Sequence, residues 1–176
     1  IFLEGYLFDK DQGKEAFRQA SRMTRTAGGR AGIAISDPFC VNRHRNDFIE
    51  MIKNDLDFVI GNEHEIKSLY ETNDLEAAMS KTADMIKLMV CTRSGDGVTI
   101  MSNGERHDIP VNKITPVDAT GAGDQFAAGF IYGMVTGRDL ETCGKMGNLC
   151  AAEVISHIGP RPATDMRREF ARARLE

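Results

Sequence analysis

Gly32-Ile-Ala-Ile-Ser36, followed at once by Asp37-Pro38, is a short apolar run with turn chemistry directly behind it. Its length and unbroken apolar character predict a strand buried on both faces, and Asp37-Pro38 predicts the loop at its C-terminal end. The same unit recurs on either side. Upstream, an apolar strand over 1–5 leads into a helix-compatible stretch, Lys14–Ala27, which Gly28-Gly29 ends. Downstream, a helix over 45–54 leads to strand Phe58-Val-Ile60 and a Gly61-Asn62 turn. Helices near 63–70 and 74–86 then lead to strand Leu88-Met-Val-Cys91. Short buried strands alternating with helices predict an α/β fold: three layers, α/β/α, around an open, mostly parallel sheet with a Rossmann-like core.

The rhythm changes after residue 91. Val98-Thr-Ile-Met101 and Arg106-His-Asp-Ile109 flank Asn103-Gly104, the strongest short hairpin signal, so an antiparallel edge hairpin is expected. Helices over about 122–136, 139–156 and 163–174 follow. No internal repeat or low-complexity segment interrupts the chain, and residues 1–176 read as a single α/β domain.

Composition narrows the function classes. A net charge of −4 disfavours a nucleic-acid module, which needs basic patches for the phosphate backbone. Apolar runs stay well short of the roughly 20 residues of a membrane span. The four cysteines, Cys40, Cys91, Cys143 and Cys150, form no C-x-x-C pair and sit in apolar contexts. They read as buried thiols of a cytoplasmic protein rather than zinc ligands or disulfides. The four histidines show no metal-ligand spacing. The chain opens on Ile1-Phe-Leu-Glu-Gly-Tyr6, without an initiator Met and already inside a strand pattern, so an N-terminal portion is expected to be missing.

Ligands of such sheets bind outside the carboxyl ends of the strands. Asp37, Asn62, Thr92 and the run Asp118-Ala-Thr-Gly-Ala-Gly-Asp124 all fall there. In that last run two carboxylates flank a small-residue turn that opens the apolar stretch Gln125-Phe-Ala-Ala-Gly-Phe-Ile-Tyr132. Unpaired N–H groups at a helix start bind anions, and Gly-Ala-Gly lets a bulky anion approach the backbone. A carboxylate there repels a phosphate, but it is well placed to take a proton from a nucleophile that attacks one. The run therefore predicts phosphoryl transfer, with Asp124 as base and Gly121, Ala122 and Gly123 as the cradle. Its plain structural reading is a helix cap.

Other nucleotide motifs fail. No Gly-x4-Gly-Lys-Ser/Thr loop is present. His44-Arg-Asn46 lacks the essential Asp of a protein-kinase catalytic triplet. Gly121-x-Gly123 and Gly95-x-Gly97 each lack the third glycine of a dinucleotide fingerprint.

The run Asp118–Asp124 resembles the second signature of the ribokinase, or PfkB-type, sugar and nucleoside kinases, and two further segments resemble that family in the right order. Asn62-Glu-His-Glu65 is similar to its Asn-x-x-Glu motif, which implies support of a magnesium–phosphate network, Glu65 acting through water. Thr92-Arg-Ser-Gly-Asp-Gly97 resembles its Thr-x-Gly-x-x-Gly nucleotide loop, with Ser94 where the first glycine is usual; Thr92, Ser94, Gly95, Gly97 and Gly123 are thereby implied in nucleotide binding. Asn148 matches the position that meets the adenine end of ATP. Val154-Ile-Ser-His-Ile-Gly159 resembles the loop that encloses a monovalent cation with Asp118 and Thr120, so K+ joins ATP and Mg2+ among the implied cofactors.

The resemblance implies a ribokinase-like fold and an ATP-dependent phosphotransferase acting on an alcohol. Leu3-Glu-Gly-Tyr6, Ser36-Asp-Pro-Phe39 and Thr92-Arg-Ser94 look most like bacterial adenosine-kinase-like members, which favours adenosine over ribose or fructose. It also implies that the family's N-terminal part and lid, through which members dimerise, lie outside this chain. A nucleotide-binding chain without catalysis and a purely structural α/β domain stay open as alternatives.

Overall fold

The computed structural model describes residues 1–175. Strands β1 (Phe2–Glu4), β2 (Gly32–Ala34), β3 (Phe58–Asn62), β4 (Leu88–Thr92), β5 (Val98–Ser102) and β6 (Glu105–Ile109) form one sheet whose order follows the chain. The helices are α1 (Gly13–Thr26), α2 (Pro38–Asn54), α3 (Glu63–Leu69), α4 (Leu75–Ala83), α5 (Ala122–Val135), α6 (Leu140–Val154) and α7 (Met166–Arg172). The mixed α/β fold expected from the alternation is present. No helix among the described residues is long and apolar enough to cross a membrane.

The chain divides into two compact units: Ile1–Thr92 with Met101–Arg106, and Arg93–Ile100 with the chain from His107 on. In the first, β1 to β4 are parallel, because every connection between them is a helical crossover. The register aligns Glu4 with Ala34, Ala34 with Ile60, and Asn62 with Thr92, so the strands' carboxyl ends share one edge. β3 and β4 are almost wholly buried, as their continuous apolar sequences require. Around them Ile33, Ile35, Phe48, Met51, Ile52, Ile66, Leu69, Met79 and Met89 are sealed from solvent. Each such side chain contributes about 1.5–3 kcal/mol of burial. Phe8 stacks on Phe48 with ring centroids 4.5 Å apart.

The second unit is built on α5 and α6. Phe126, Phe130, Cys143, Met146 and Cys150 are buried there, and Tyr132 stacks on Phe170 of α7 at 5.6 Å. Between β5 and β6, Asn103 and Gly104 hold φ of 52° and 81°, the paired positive values of a type I′ hairpin turn.

Two boundaries depart from the sequence reading. Asp37-Pro38 is not a loop but a helix start. Asp37 accepts the Cys40 N–H at 2.6 Å as N-cap, Pro38 takes the first helical position, and α2 begins seven residues before the expected 45. The helix breaks its regular path at His44 (φ −126°, ψ 21°), which interrupts the periodicity over its first turns. Gly61 and Asn62 likewise end β3 rather than form a turn, and Asn62 passes straight into α3 as its cap.

Candidate active site

At the carboxyl ends of β3 and β4, register places Asn62 beside Thr92. Asn62 and Glu65 form a reciprocal capping box. The Asn62 Oδ1 accepts the N–H groups of His64 (2.9 Å) and Glu65 (3.0 Å), while Glu65 Oε2 accepts the Asn62 N–H at 2.8 Å. The Asn62 Nδ2 donates to the other carboxylate oxygen. Glu65 is only 6% exposed, and burial pushes its carboxyl up to about 7 against the pull of the Asn62 N–H, with the charges of Asp37 and Glu4 adding to the rise. With both oxygens engaged, Glu65 fits a water-mediated role beside a magnesium ion that keeps most of its own waters, and not direct coordination.

Three neighbours, Glu4, Tyr6 and Ser36, carried a family likeness in the sequence but were not expected as site residues. Ser36 holds a left-handed backbone (φ 73°) at the corner between β2 and α2, and its hydroxyl donates to Glu4. The Asp37 carboxylate beside the Tyr6 hydroxyl, then burial, lifts the phenol to about 12. Burial works against ionised Asp37, but the Tyr6 hydroxyl and the N–H groups of Cys40 and Phe39 outweigh it and lower its carboxyl. Asp37 was legible as a strand-end carboxylate. Glu4, Tyr6 and Ser36 become partners only through strand register.

In the second unit, the turn before α5 is tied to the segment after α6. Asp118 accepts the Thr120 N–H at 2.9 Å on one oxygen and the Gly159 N–H at 3.0 Å on the other. The Gly159 bond, then the Thr120 groups, hold its carboxyl down at about 2. The Val117 N–H donates to the Ile155 carbonyl at 2.8 Å, and the Gln125 Nε2 donates to the Pro160 carbonyl at 3.2 Å. Asp118, Thr120 and Gly159 are thus brought together. Gly121 caps α5 with φ 80°, and a Cβ there would fall 2.8 Å from the Pro160 ring, so both conformation and space demand glycine.

The Ala122 N–H turns inward to the Ala119 carbonyl at 3.3 Å, which removes it from the expected cradle. Among the described residues the N–H groups of Gly123 and Asp124 meet no acceptor. The Asp124 side chain is exposed, and among the described residues it has no hydrogen-bond or ion-pair partner. A free carboxylate and unbonded amides therefore share the mouth of one helix.

The 92–97 loop follows β4 as one short 3-10 turn, Ser94–Asp96. Ser94 has φ 49°, which explains why glycine is usual at that place. Asn148 donates from Nδ2 to the Pro110 carbonyl at 3.3 Å and lines a groove of about 320 Å³. Pro110, Ile114, Leu149, Ala152 and Leu175 make that groove largely apolar, with Lys145 at its side. Only Asn148 of these was singled out in the sequence; the rest depend on the path of the chain after β6.

Comparison with known proteins gives the family. The sequence pattern of the pfkB family carbohydrate kinases matches residues 1–166. A solved probable sugar kinase from Rhizobium etli superposes with a TM-score of 0.97 at 40% identity, covering 99% of this chain and 54% of that one. The solved adenosine kinase from Sinorhizobium meliloti gives 0.95 at 39% identity, over 98% and 53%. An uncharacterized sugar kinase of Archaeoglobus fulgidus is 35% identical over 121 residues, 68% of this chain and 47% of its own length. The chain thus spans about half the length of these relatives. It belongs to the pfkB family of carbohydrate kinases.

Proposed function

We propose that this chain serves an ATP-dependent kinase that passes the γ-phosphoryl group to a primary hydroxyl of a nucleoside, adenosine foremost, with Asp124 as general base. One observation carries the reading: the Asp124 carboxylate is exposed and without a partner among the described residues, and the neighbouring Gly123 and Asp124 N–H groups are unbonded. The carboxylate takes the hydroxyl proton as the bond to phosphorus forms, and the two amides receive charge developing on the transferring group. Gly121 keeps the turn open. The groove beside Asn148 suits an adenine ring, with the Asn148 amide at its polar edge. In the 92–97 loop the Ser94 and Gly95 N–H groups serve as donors for phosphate oxygens, those of Arg93, Asp96 and Gly97 being bonded within the loop.

Magnesium bound with the nucleotide would neutralise charge on the phosphates. Asn62 and Glu65 would orient one of its waters. Asp118, kept ionised by the Gly159 and Thr120 N–H groups, fits a place beside K+ together with backbone carbonyls of the 154–159 segment. On that reading, replacing Na+ by K+ raises turnover.

Near-equal likeness to an adenosine kinase and to a probable sugar kinase supports a sugar as the second reading of the acceptor. The full-length protein should be assayed with Mg2+–ATP against adenosine, ribose and fructose. Adenosine is expected to give the highest kcat/KM. ATP binding without turnover on any of the three would sink the kinase reading.

A further inference from the structure

The loop Arg93–Gly97 carries two costs that its own packing does not explain. Ser94 holds a left-handed backbone that residues with a Cβ adopt unwillingly. The Nε of Arg93 is enclosed and, among the described residues, has no hydrogen-bond partner. An enclosed donor without an acceptor opposes folding, and a strained backbone persists only where its neighbours over-determine it.

Those neighbours are specific. The Arg93 N–H donates to the Gly97 carbonyl at 2.8 Å. Its Nη2 reaches the Asp96 carbonyl and the Asp108 Oδ1, both at 3.4 Å. Asp108 is itself held on β6 by the hydroxyl of buried Thr99, which donates to the same oxygen at 2.6 Å. Gly97 lies against that strand so closely that a Cβ would fall 2.1 Å from the Ile109 carbonyl oxygen. Lys113 pairs with Asp96 at 3.2 Å. With the Asp108 side chain 48% exposed, its ion pair with Arg93 adds little to folding. Stability alone does not account for a weak pair beside an orphaned donor on a strained loop.

We infer that Arg93 and Asp108 are positioning residues for the donor nucleotide. The pair holds 93–97 on the one backbone path that closes through Ser94, with the Arg93, Asp96 and Gly97 N–H groups bonded inside the loop, and so presents the Ser94 and Gly95 N–H groups to the phosphates. This rests on reading 92–97 as the nucleotide loop. The β5–β6 hairpin thereby serves the site, since β6 presents the carboxylate that sets the loop.

Asp108→Asn keeps the side chain's shape and its acceptor for Thr99 while removing the charge. In the full-length protein it should raise the ATP dissociation constant and KM about tenfold, within the range of coupling between touching residues. The kcat at saturating ATP, the acceptor KM and the melting temperature should hold. Ser94→Gly makes the left-handed turn cheap, so in that background Asp108→Asn should cost less than about threefold. Unchanged ATP affinity in Asp108→Asn overturns the inference. So does a parallel fall in affinity and melting temperature, the mark of a merely structural role. Gly95→Glu separates the two layers, because it adds a negative charge at an exposed position of the loop where a Cβ meets only the Lys113 side chain, at ordinary contact distance. If ATP affinity ignores that charge as well, the nucleotide reading of the loop has failed. If Gly95→Glu weakens ATP and Asp108→Asn does not, only the positioning role has failed.

Discussion

Glu65 binds its proton more tightly in the fold than in the open chain, at about 7 against 4.5, because burial disfavours its charge. The stability this contributes is fully present below about 4.5 and is lost as pH rises through 7. The difference amounts to about 3 kcal/mol. In metal-free urea titrations, wild type should therefore lose about that much relative to Glu65→Gln between pH 4.5 and 8; a difference that stays flat with pH contradicts it. Gly121→Ala meets both a left-handed φ and the Pro160 ring, and should cost about 1–3 kcal/mol of stability by thermal melting. Asp124, Glu65 and Asp118 were legible because their chemistry sits in short local patterns. The inward turn of the Ala122 N–H was not, since a helix start leaves several amides and the sequence does not say which one the turn consumes.

At the scale of elements, strands β2 to β6 lie within two residues of their expected bounds, because apolar runs and Asn103-Gly104 mark them locally. Helix α2 was misjudged at its start. Asp-Pro serves both as turn punctuation and as N-cap plus first helical residue, and the break at His44 masks the period that would decide between them. The corner there depends on Asp37, which caps α2. Asp37→Ala should lower the denaturation free energy by about 1–2 kcal/mol. If Asp37→Ala leaves the urea midpoint where it was, the cap does not hold the corner.

Across the whole molecule, contacts gather into two units whose boundary runs through β5 and β6. Local patterns do not report that division, because it depends on which residues meet after folding. Each unit buries a thiol that burial pushes up to about 11, Cys40 in the first and Cys150 in the second. Both should resist alkylation at pH 8 in the native protein and react promptly in urea; fast labelling of either without denaturant would show its unit to be open. The central claim concerns Asp124, and one comparison addresses it: steady-state turnover with Mg2+–ATP and the preferred acceptor, in full-length wild type and Asp124→Asn, alongside calorimetric ATP binding. Loss of a general base predicts a kcat lower by about 10²–10⁴-fold with ATP affinity nearly intact. Turnover within a few-fold of wild type would mean that another group takes the proton.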